Sequence, residues 1–172
     1  MLKLIGCILI LSASTTAGFL YSDNFKNRVS QLNEIQRCLH QLQNEILFTY
    51  TPLTESFLSV STKSKYPVKH IFESASDSLI TNKANSVYEA MKSAIDNNIN
   101  KFNIKNEDIE ILLDLSKSLG ESDIEGQKSV FNLTIENIKK QINEADEIMK
   151  KNVKLFRYLG FTIGAMLVIL IV

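Results

Sequence analysis

The two ends of the chain are apolar, and the stretch between them is polar. In the 172-residue sequence, one apolar run extends from Leu4 to Tyr21 and another from Leu155 to Val172. A helix that crosses a bilayer needs about 20 mostly apolar residues. We therefore predict a transmembrane helix at residues 1–21, a second at residues 155–172, and one domain of residues 22–154 between them.

Basic residues are distributed unevenly around the two predicted spans. The domain side has six of them, against Lys3 on the other side: Lys26, Arg28, Lys150, Lys151, Lys154 and Arg157. Because basic side chains favour the cytoplasmic side of a membrane, this asymmetry predicts a two-span protein of the cell membrane with its central domain in the cytoplasm. The segment Thr15-Thr16-Ala17 resembles a weak signal-peptidase site, which leaves cleavage of the first span open.

Composition argues against a nucleic-acid-binding protein and against a disulfide-rich one. The formal net charge is +0, with 19 basic and 19 acidic residues, so no excess of positive charge favours nucleic acid as a partner. The two cysteines, Cys7 and Cys38, fall in the first predicted span and in the middle of a helix. That placement gives no sign of a disulfide framework.

The central stretch has the periodicity of helices and little strand alternation. Apolar residues recur at three- and four-residue steps along the first helix: Phe25, Val29, Leu32, Ile35, Leu39, Leu42 and Ile46. We predict that this helix ends near Tyr50, that Thr51 caps the next helix, and that Pro67 opens a third. Polar links at residues 81–85 and 97–106 separate two further short helices.

A final long helix follows a predicted corner. Leu119-Gly120 ends the preceding helix with glycine as its C-cap, and Ser122-Asp123-Ile124-Glu125 has the pattern of a capping box. The apolar seam of the last helix then runs toward the second span: Ile124, Phe131, Ile135, Ile138, Ile142, Ala145 and Met149. The predicted fold is all-α, an antiparallel helical bundle of about six helices flanked by N- and C-terminal transmembrane helices.

Residues suited to catalysis or metal binding are sparse. His40 has no second ligand three or four residues away, and His70 is predicted to be exposed. Cys38 and His40 are two residues apart, so they point in different directions on a helix and form no catalytic pair. Gly120 and Gly126 lack the ending of a phosphate-binding loop. We predict a non-enzyme without catalytic residues, cofactor or metal site.

Two short motifs resemble a known family. They are Leu119–Gln127, with the pattern L-G-x-S-D-x-x-G-Q, and Thr51–Glu55, which follows a long N-terminal helix. With the overall layout, these motifs resemble the stage III sporulation protein AB family of endospore-forming Firmicutes, over essentially the whole chain. That family is similar to the cytoplasmic helical domain of the inner-membrane platform protein of type II secretion and type IV pilus machines.

The resemblance implies a role in sporulation. Members of the family belong to a channel complex between mother cell and forespore, in the mother-cell membrane around the forespore. The implied partners are a cytoplasmic secretion-type ATPase of the same complex, its other membrane components, and further copies of the chain as a homo-oligomer. The lipid bilayer is also expected as a partner, and nucleic acid is not.

The mechanistic hypothesis is an adaptor that couples the ATPase to the membrane assembly. Its partner-facing residues are expected on the short acidic helix and at the corner: Glu107, Asp108, Glu110, Glu121 and Asp123. The corner itself is expected to be shaped by Leu119, Gly120, Ser122, Glu125 and Gln127. A solvated helix start remains the plainer interpretation of the carboxylates, since acidic residues are favourable there without any partner.

The chain departs from a full platform protein, which has more membrane spans and a duplicated helical domain. An alternative function is an extracytoplasmic helical-bundle scaffold, or a ligand-sensing accessory subunit anchored by two spans. Receptors of that plan place an output domain after the second span, and the sequence has none after Val172. We therefore favour the adaptor.

Overall fold

The computed structural model describes residues 2–119 and 123–171, and helices provide the regular structure of these ranges. The α-helices are α1 (Leu2–Leu47), α2 (Leu53–Lys63), α3 (Val68–Ile80), α4 (Val87–Asn98), α5 (Asn106–Ser118) and α6 (Ile124–Ile171). A 3₁₀ turn, Ile99–Lys101, directly follows α4. The prediction of an all-α fold with about six helices is confirmed over the described residues.

The chain divides into two compact units. The first comprises Met1–Val29 and Asn143–Val172, and the second comprises Ser30–Ile142. The second unit therefore holds the four short helices together with the adjoining parts of α1 and α6. The domain limits placed at residues 22 and 154 stay predictions.

In the first unit, α1 and α6 are in contact through aromatic side chains. Phe25 of α1 stacks on Phe156 of α6, with the ring centroids 5.9 Å apart. Ser22, three residues earlier in α1, is fully buried, and its hydroxyl donates to the carbonyl of Phe19 at 2.8 Å. The helix backbone thus satisfies a hydroxyl group that burial would otherwise leave without a partner.

In their described residues, α1 and α6 do not meet the requirements for a membrane span. Over the described residues, no helix contains a segment that is both long enough and apolar enough to cross a bilayer. The N-terminal apolar run includes exposed hydroxyl-bearing residues such as Ser12 and Thr16, which donate to backbone carbonyl groups of the preceding turn. The prediction of a two-span cell-membrane protein is therefore wrong. The cytoplasmic placement of the central domain and the alternative of a two-span sensor rest on the same spans, and both lose that support.

The core of the second unit is built from one face of each helix in it. α1 contributes an apolar stripe at helical spacing, in which every residue is buried: Leu32, Ile35, Cys38, Leu39 and Leu42. Phe57 of α2 and Phe72 of α3 are buried with ring centroids 5.9 Å apart. α6 adds Phe131 and Ile138, which are also fully buried. The seams predicted for the first and last helices are confirmed in part: Leu32–Leu42 and Phe131–Ile138 contribute to this core, whereas Ile124 is 54% exposed.

The start of α2 differs from its prediction. Thr51 does not cap the helix, because its hydroxyl donates to Oε2 of Glu45 at 3.2 Å. The helix begins at Leu53, and Pro52 occupies the capping position without a side-chain hydrogen bond. Thr51 therefore binds the α1–α2 loop to α1. The residue at the helix start is Pro52, whose missing N–H group costs nothing there.

The start of α4 contains a capping motif that the sequence analysis missed. Ser86 Oγ accepts the backbone N–H of Glu89 at 3.1 Å, and the Glu89 carboxylate accepts the backbone N–H of Asn85 at 2.9 Å. The S-x-x-E spacing of a capping box is visible in the sequence at these positions. It could have placed the first residue of α4 without a structure.

We expect Phe57→Ala to lower the free energy of unfolding by about 3–5 kcal/mol, because it removes a fully buried ring. Phe48→Ala is the matched control, since the same change falls on a side chain that is 69% exposed. Its effect should stay within about 0.5 kcal/mol. Urea unfolding followed by far-UV circular dichroism measures both variants. Equal losses of stability would contradict the described core.

Candidate partner-binding surface

α5 has one buried face and one acidic face. The buried face consists of Asp108, Leu112, Leu115 and Ser116. Glu107, Glu110 and Asp114 are exposed, and their three- and four-residue spacing places them on one side of the helix. These three residues are called the α5 acidic stripe below. Two of the predicted partner-facing residues, Glu107 and Glu110, belong to it.

Asp108 is not part of this stripe. Its side chain is 0% exposed, and its Oδ2 accepts the backbone N–H of Lys105 at 2.8 Å. Lys105 directly precedes α5, so the carboxylate satisfies an N–H group at the helix start. The prediction that Asp108 faces a partner is wrong, because this carboxylate is enclosed and already bound to the backbone.

The charge at the far end of the stripe is partly balanced. Nζ of Lys117 lies 2.9 Å from Oδ1 of Asp114 and 5.4 Å from the ring centroid of Tyr88. The hydrogen bond with Asp114 raises the pKa of the Lys117 ammonium. The remaining negative charge of the stripe is therefore concentrated at Glu107 and Glu110, in the first turns of α5.

The predicted corner between α5 and α6 is described on both sides of a short gap. Leu119 is buried, and its N–H donates to the carbonyl of Leu115 at 3.2 Å, which ends α5. Gly120, Glu121 and Ser122 lie outside the described residues. The glycine C-cap, the serine N-cap and the partner contact assigned to these three positions stay predictions.

Asp123 has a structural role at the start of α6. Its Oδ1 accepts the backbone N–H of Gly126 at 2.9 Å, three residues along the chain. This is the geometry of an N-cap, and aspartate is among the preferred residues for it. Asp123 thus caps the first turn of α6. Its exposed carboxylate is engaged with the helix start, which accounts for it without a partner.

The other two corner residues follow Asp123 in the first turn of α6. Glu125 is exposed, and Gln127 is half-buried. The backbone N–H of Gln127 donates to the carbonyl of Asp123 at 2.9 Å. The described part of the corner is therefore a helix start held by local hydrogen bonds.

A polar cluster that the sequence analysis missed fastens α1 to the α2–α3 link. Arg37 donates two hydrogen bonds to Glu34, from Nη2 to Oε1 at 2.6 Å and from Nε to Oε2 at 3.1 Å. Arg37 Nη2 also donates to the carbonyl of Lys63, at the end of α2, at 2.8 Å. Glu34 Oε1 accepts the backbone N–H of Lys65 at 2.8 Å. These four groups are called the Glu34 clamp below.

The electrostatics of the clamp favour an ionised carboxylate. The hydrogen bond from Arg37 holds the pKa of Glu34 below its usual value, burial opposes this shift, and the N–H of Lys65 adds to it. The Glu34 side chain is only 10% exposed, whereas the Arg37 side chain is 43% exposed, so water still reaches the arginine side of the pair. A pair three residues apart on a helix is visible in the sequence, but its contact with residues 63–65 is not.

A second carboxylate on α1 binds residues in the middle of α2 and in the loop before it. Glu45 Oε1 accepts the hydroxyl of Ser59 at 2.7 Å, and Oε2 accepts the hydroxyl of Thr51 at 3.2 Å. The hydrogen bond from Ser59 lowers the pKa of the Glu45 carboxyl. Glu34 and Glu45 therefore connect α1 to α2 and to the segments that flank α2.

The candidate reactive residues have ordinary structural surroundings. Cys38 is buried with its Sγ 3.0 Å from Oγ of Ser64, and burial raises the pKa of its thiol to about 11. Such a thiol is protonated at neutral pH and a poor nucleophile. Among the described residues, no three His, Cys, Asp or Glu side chains are grouped so that they could hold a metal ion.

Comparison with known proteins gives consistent matches along the chain. The family described as Stage III sporulation protein AB matches residues 3–172. Stage III sporulation protein AB of Bacillus subtilis (strain 168) is 26% identical over 171 residues, which cover 99% of each chain.

A solved structure of a Stage III sporulation protein AB also has the same fold. It superimposes with a TM-score of 0.67 at 21% identity, over 72% of this chain and 97% of the other. At that level of identity, the structural match supports the helical architecture and leaves the roles of individual residues to the geometry described above.

We expect Glu34→Gln to lower the free energy of unfolding at neutral pH by about 1–3 kcal/mol, because it leaves the Arg37 donors of the clamp without a charged acceptor. The folded-state pKa of Glu34 lies below its unfolded value, so the carboxylate stabilises the fold above that unfolded value. This contribution is lost as the pH falls from about 4.5 through the lower folded-state pKa.

Urea unfolding of wild type and Glu34→Gln at a series of pH values between about 7 and 2 tests this expectation. The difference between the two proteins should shrink at the acid end of the series. Glu55→Gln, at an exposed position in α2, serves as the control and should show a small difference at every pH. A Glu34→Gln effect that persists unchanged at the lowest pH would contradict the role given to the charge.

Proposed function

The chain belongs to the stage III sporulation protein AB family, and we propose that it is a non-enzymatic component of the sporulation channel complex that binds a secretion-type ATPase. The observation that carries this proposal is the α5 acidic stripe. Glu107 and Glu110 are exposed on a helix whose opposite face is packed into the core. They therefore present fixed negative charge at a defined place on the surface of the second unit.

The geometry of α5 suits recognition by a basic surface. Asp108 and the buried leucines fix the helix on its support, so the backbone positions of the two exposed glutamates are set before a partner binds. Preorganised charge of this kind mainly sets the rate and specificity of association. The likeness of the family to secretion platform domains supports an ATPase as the protein that carries the complementary charge.

The described chemistry supports a binding role over catalysis. The buried thiol of Cys38 is held protonated, and the strongest carboxylate clusters, around Glu34 and Glu45, are saturated with hydrogen bonds that join helices. A general acid or base needs an accessible group with a pKa near the working pH. Glu34 and Glu45 are instead shifted to lower pKa values, which suits structural ion pairs.

We expect the double variant Glu107→Lys/Glu110→Lys to bind the secretion-type ATPase of the complex at least about tenfold more weakly, because it replaces attraction by repulsion at two points of the interface. Biolayer interferometry with the purified ATPase at two salt concentrations measures the association rate and the affinity. The wild-type association rate should fall as salt rises, and the variant should lose most of that dependence.

The matched control is Asp77→Lys/Asp96→Lys, which makes the same change in net charge at exposed positions of α3 and α4. It should retain wild-type binding. Thermal unfolding of both double variants verifies folding, since a lysine in the first turn of α5 opposes the helix dipole. Equal loss of binding in the two double variants would show a non-specific charge effect and would remove the α5 acidic stripe from the interface.

A further inference from the structure

The second unit also contains a recess whose lining, unlike the α5 acidic stripe, has more positive than negative side chains. It lies between α1 and the α2–α3 link and has a volume of about 450 Å³. It is lined by Ser30, Gln31, Asn33, Glu34, Arg37, Lys65, Tyr66 and Val68. This recess is called the Lys65 pocket below. Its volume lies within the range of sites that hold small ligands or several side chains of a peptide.

Most of the acceptors in the Lys65 pocket are already used. Both carboxylate oxygens of Glu34 accept hydrogen bonds within the clamp, from Arg37 and from the backbone N–H of Lys65. Oε1 of Gln31 accepts the backbone N–H of Asn103 at 2.8 Å, which leaves the side-chain NH₂ as the remaining polar group of this residue. A ligand that needs carboxylate or amide oxygens as partners finds these atoms committed.

The donors of the pocket are less occupied. Lys65 is exposed, its positive charge is the smallest of the influences that lower the pKa of Glu34, and Tyr66 is 68% exposed. The hydroxyl groups of Ser30 and Tyr66 can both donate. The charges of the lining also favour an anionic ligand. Arg37 and Lys65 are cationic, and Glu34 is the one carboxylate in the lining. Since Arg37 and Glu34 neutralise each other, the net positive charge is that of Lys65.

We propose that the Lys65 pocket binds a carboxylate side chain from an acidic segment of a partner protein. The clamp provides a rigid, neutral floor, the Lys65 ammonium supplies the charge, and the hydroxyl groups of Ser30 and Tyr66 supply further donors. A carboxylate has acceptors only and carries the complementary charge, so it matches this set of groups. The volume of the pocket exceeds what one carboxylate occupies, which favours a peptide segment over an isolated anion.

The proposal is tested on the ¹⁵N-labelled full chain with two capped tetrapeptides, acetyl-Gly-Glu-Glu-Gly-amide and acetyl-Gly-Gln-Gln-Gly-amide. In ¹H–¹⁵N spectra, the glutamate peptide should shift the backbone amides of the pocket lining saturably, and the glutamine peptide should not. The affinity should fall as salt is raised, because the interaction is partly exposed to solvent. Equal shifts with both peptides, or shifts confined to other parts of the chain, would overturn the proposal.

Lys65→Gln removes the charge and keeps the backbone N–H that binds Glu34, so the clamp can form as before. It should weaken binding of the glutamate peptide by about five- to tenfold. Lys69→Gln is the matched control, four residues along and outside the lining, and should bind as wild type does. Tyr66→Phe should give a smaller loss, because it removes one neutral donor. An unchanged affinity in Lys65→Gln would be decisive against the proposal.

Two further titrations identify the source of the carboxylate. Succinate supplies the same chemical group without a peptide, and it should bind more weakly than the glutamate peptide. Binding of succinate at equal or higher affinity would overturn a peptide ligand. Sedimentation of the chain alone over a range of concentrations examines a second copy as the partner. Self-association that Lys65→Gln abolishes and Lys69→Gln leaves intact would identify that copy as the acidic partner and support the proposal.

Discussion

The short helices of this protein depend on packing against one another around a shared apolar core. α2, α3, α4 and α5 contain 11, 13, 12 and 13 residues, and helices of that length are marginal in water on their own. Each buries one face: α2 packs against α3, α3 against α4 and α4 against α5, and the α1 stripe from Leu32 to Leu42 is buried in the same unit. Most of the stability of the second unit therefore comes from packing rather than from helix propensity.

Polar clamps determine where the short helices lie along that stripe. Apolar packing tolerates small shifts, whereas the two-point contact between Arg37 and Glu34 has a fixed geometry. The same guanidinium also donates to the carbonyl of Lys63, so one side chain binds Glu34 and the end of α2 together. Glu45 performs a similar task through Ser59, within α2, and Thr51, in the loop before it. Two carboxylates on α1 thus connect it to α2 and to the segments that flank α2.

The buried helix faces of this fold could be predicted from the spacing of apolar residues in the sequence. The recurrence of apolar residues from Leu32 to Leu42 predicts a helical face, and that face is buried. Partners between distant residues are not encoded in this way. Nothing in the spacing of Glu34 and Arg37 indicates that residues 63–65 complete their hydrogen bonds, since that depends on how the chain returns after α2. The clamp is consequently the largest feature that the sequence analysis missed.

The carboxylates of α5 also show a limit of prediction from sequence, because like residues have different surroundings in the fold. Asp108 and Glu107 are adjacent and chemically alike, yet one is fully buried at a helix start and the other is exposed. Sequence alone assigned both to a partner surface, because a capping carboxylate and a recognition carboxylate have the same local pattern. The membrane-span prediction failed for a different reason: it rested on the length of two apolar runs, and over the described residues no helix has a segment that is also apolar enough to cross a bilayer.

The second unit thus carries two charged surfaces that its folding connects. Asn103, in the segment that leads into α5, donates to Gln31 in the lining of the Lys65 pocket. The same segment sets the start of α5 through the bond between Lys105 and Asp108, and so the position of Glu107. A negative stripe and a positive pocket on one compact unit would allow two partners to bind the same chain at separate places. That geometry is what an adaptor requires, and it needs neither catalysis nor a large conformational change.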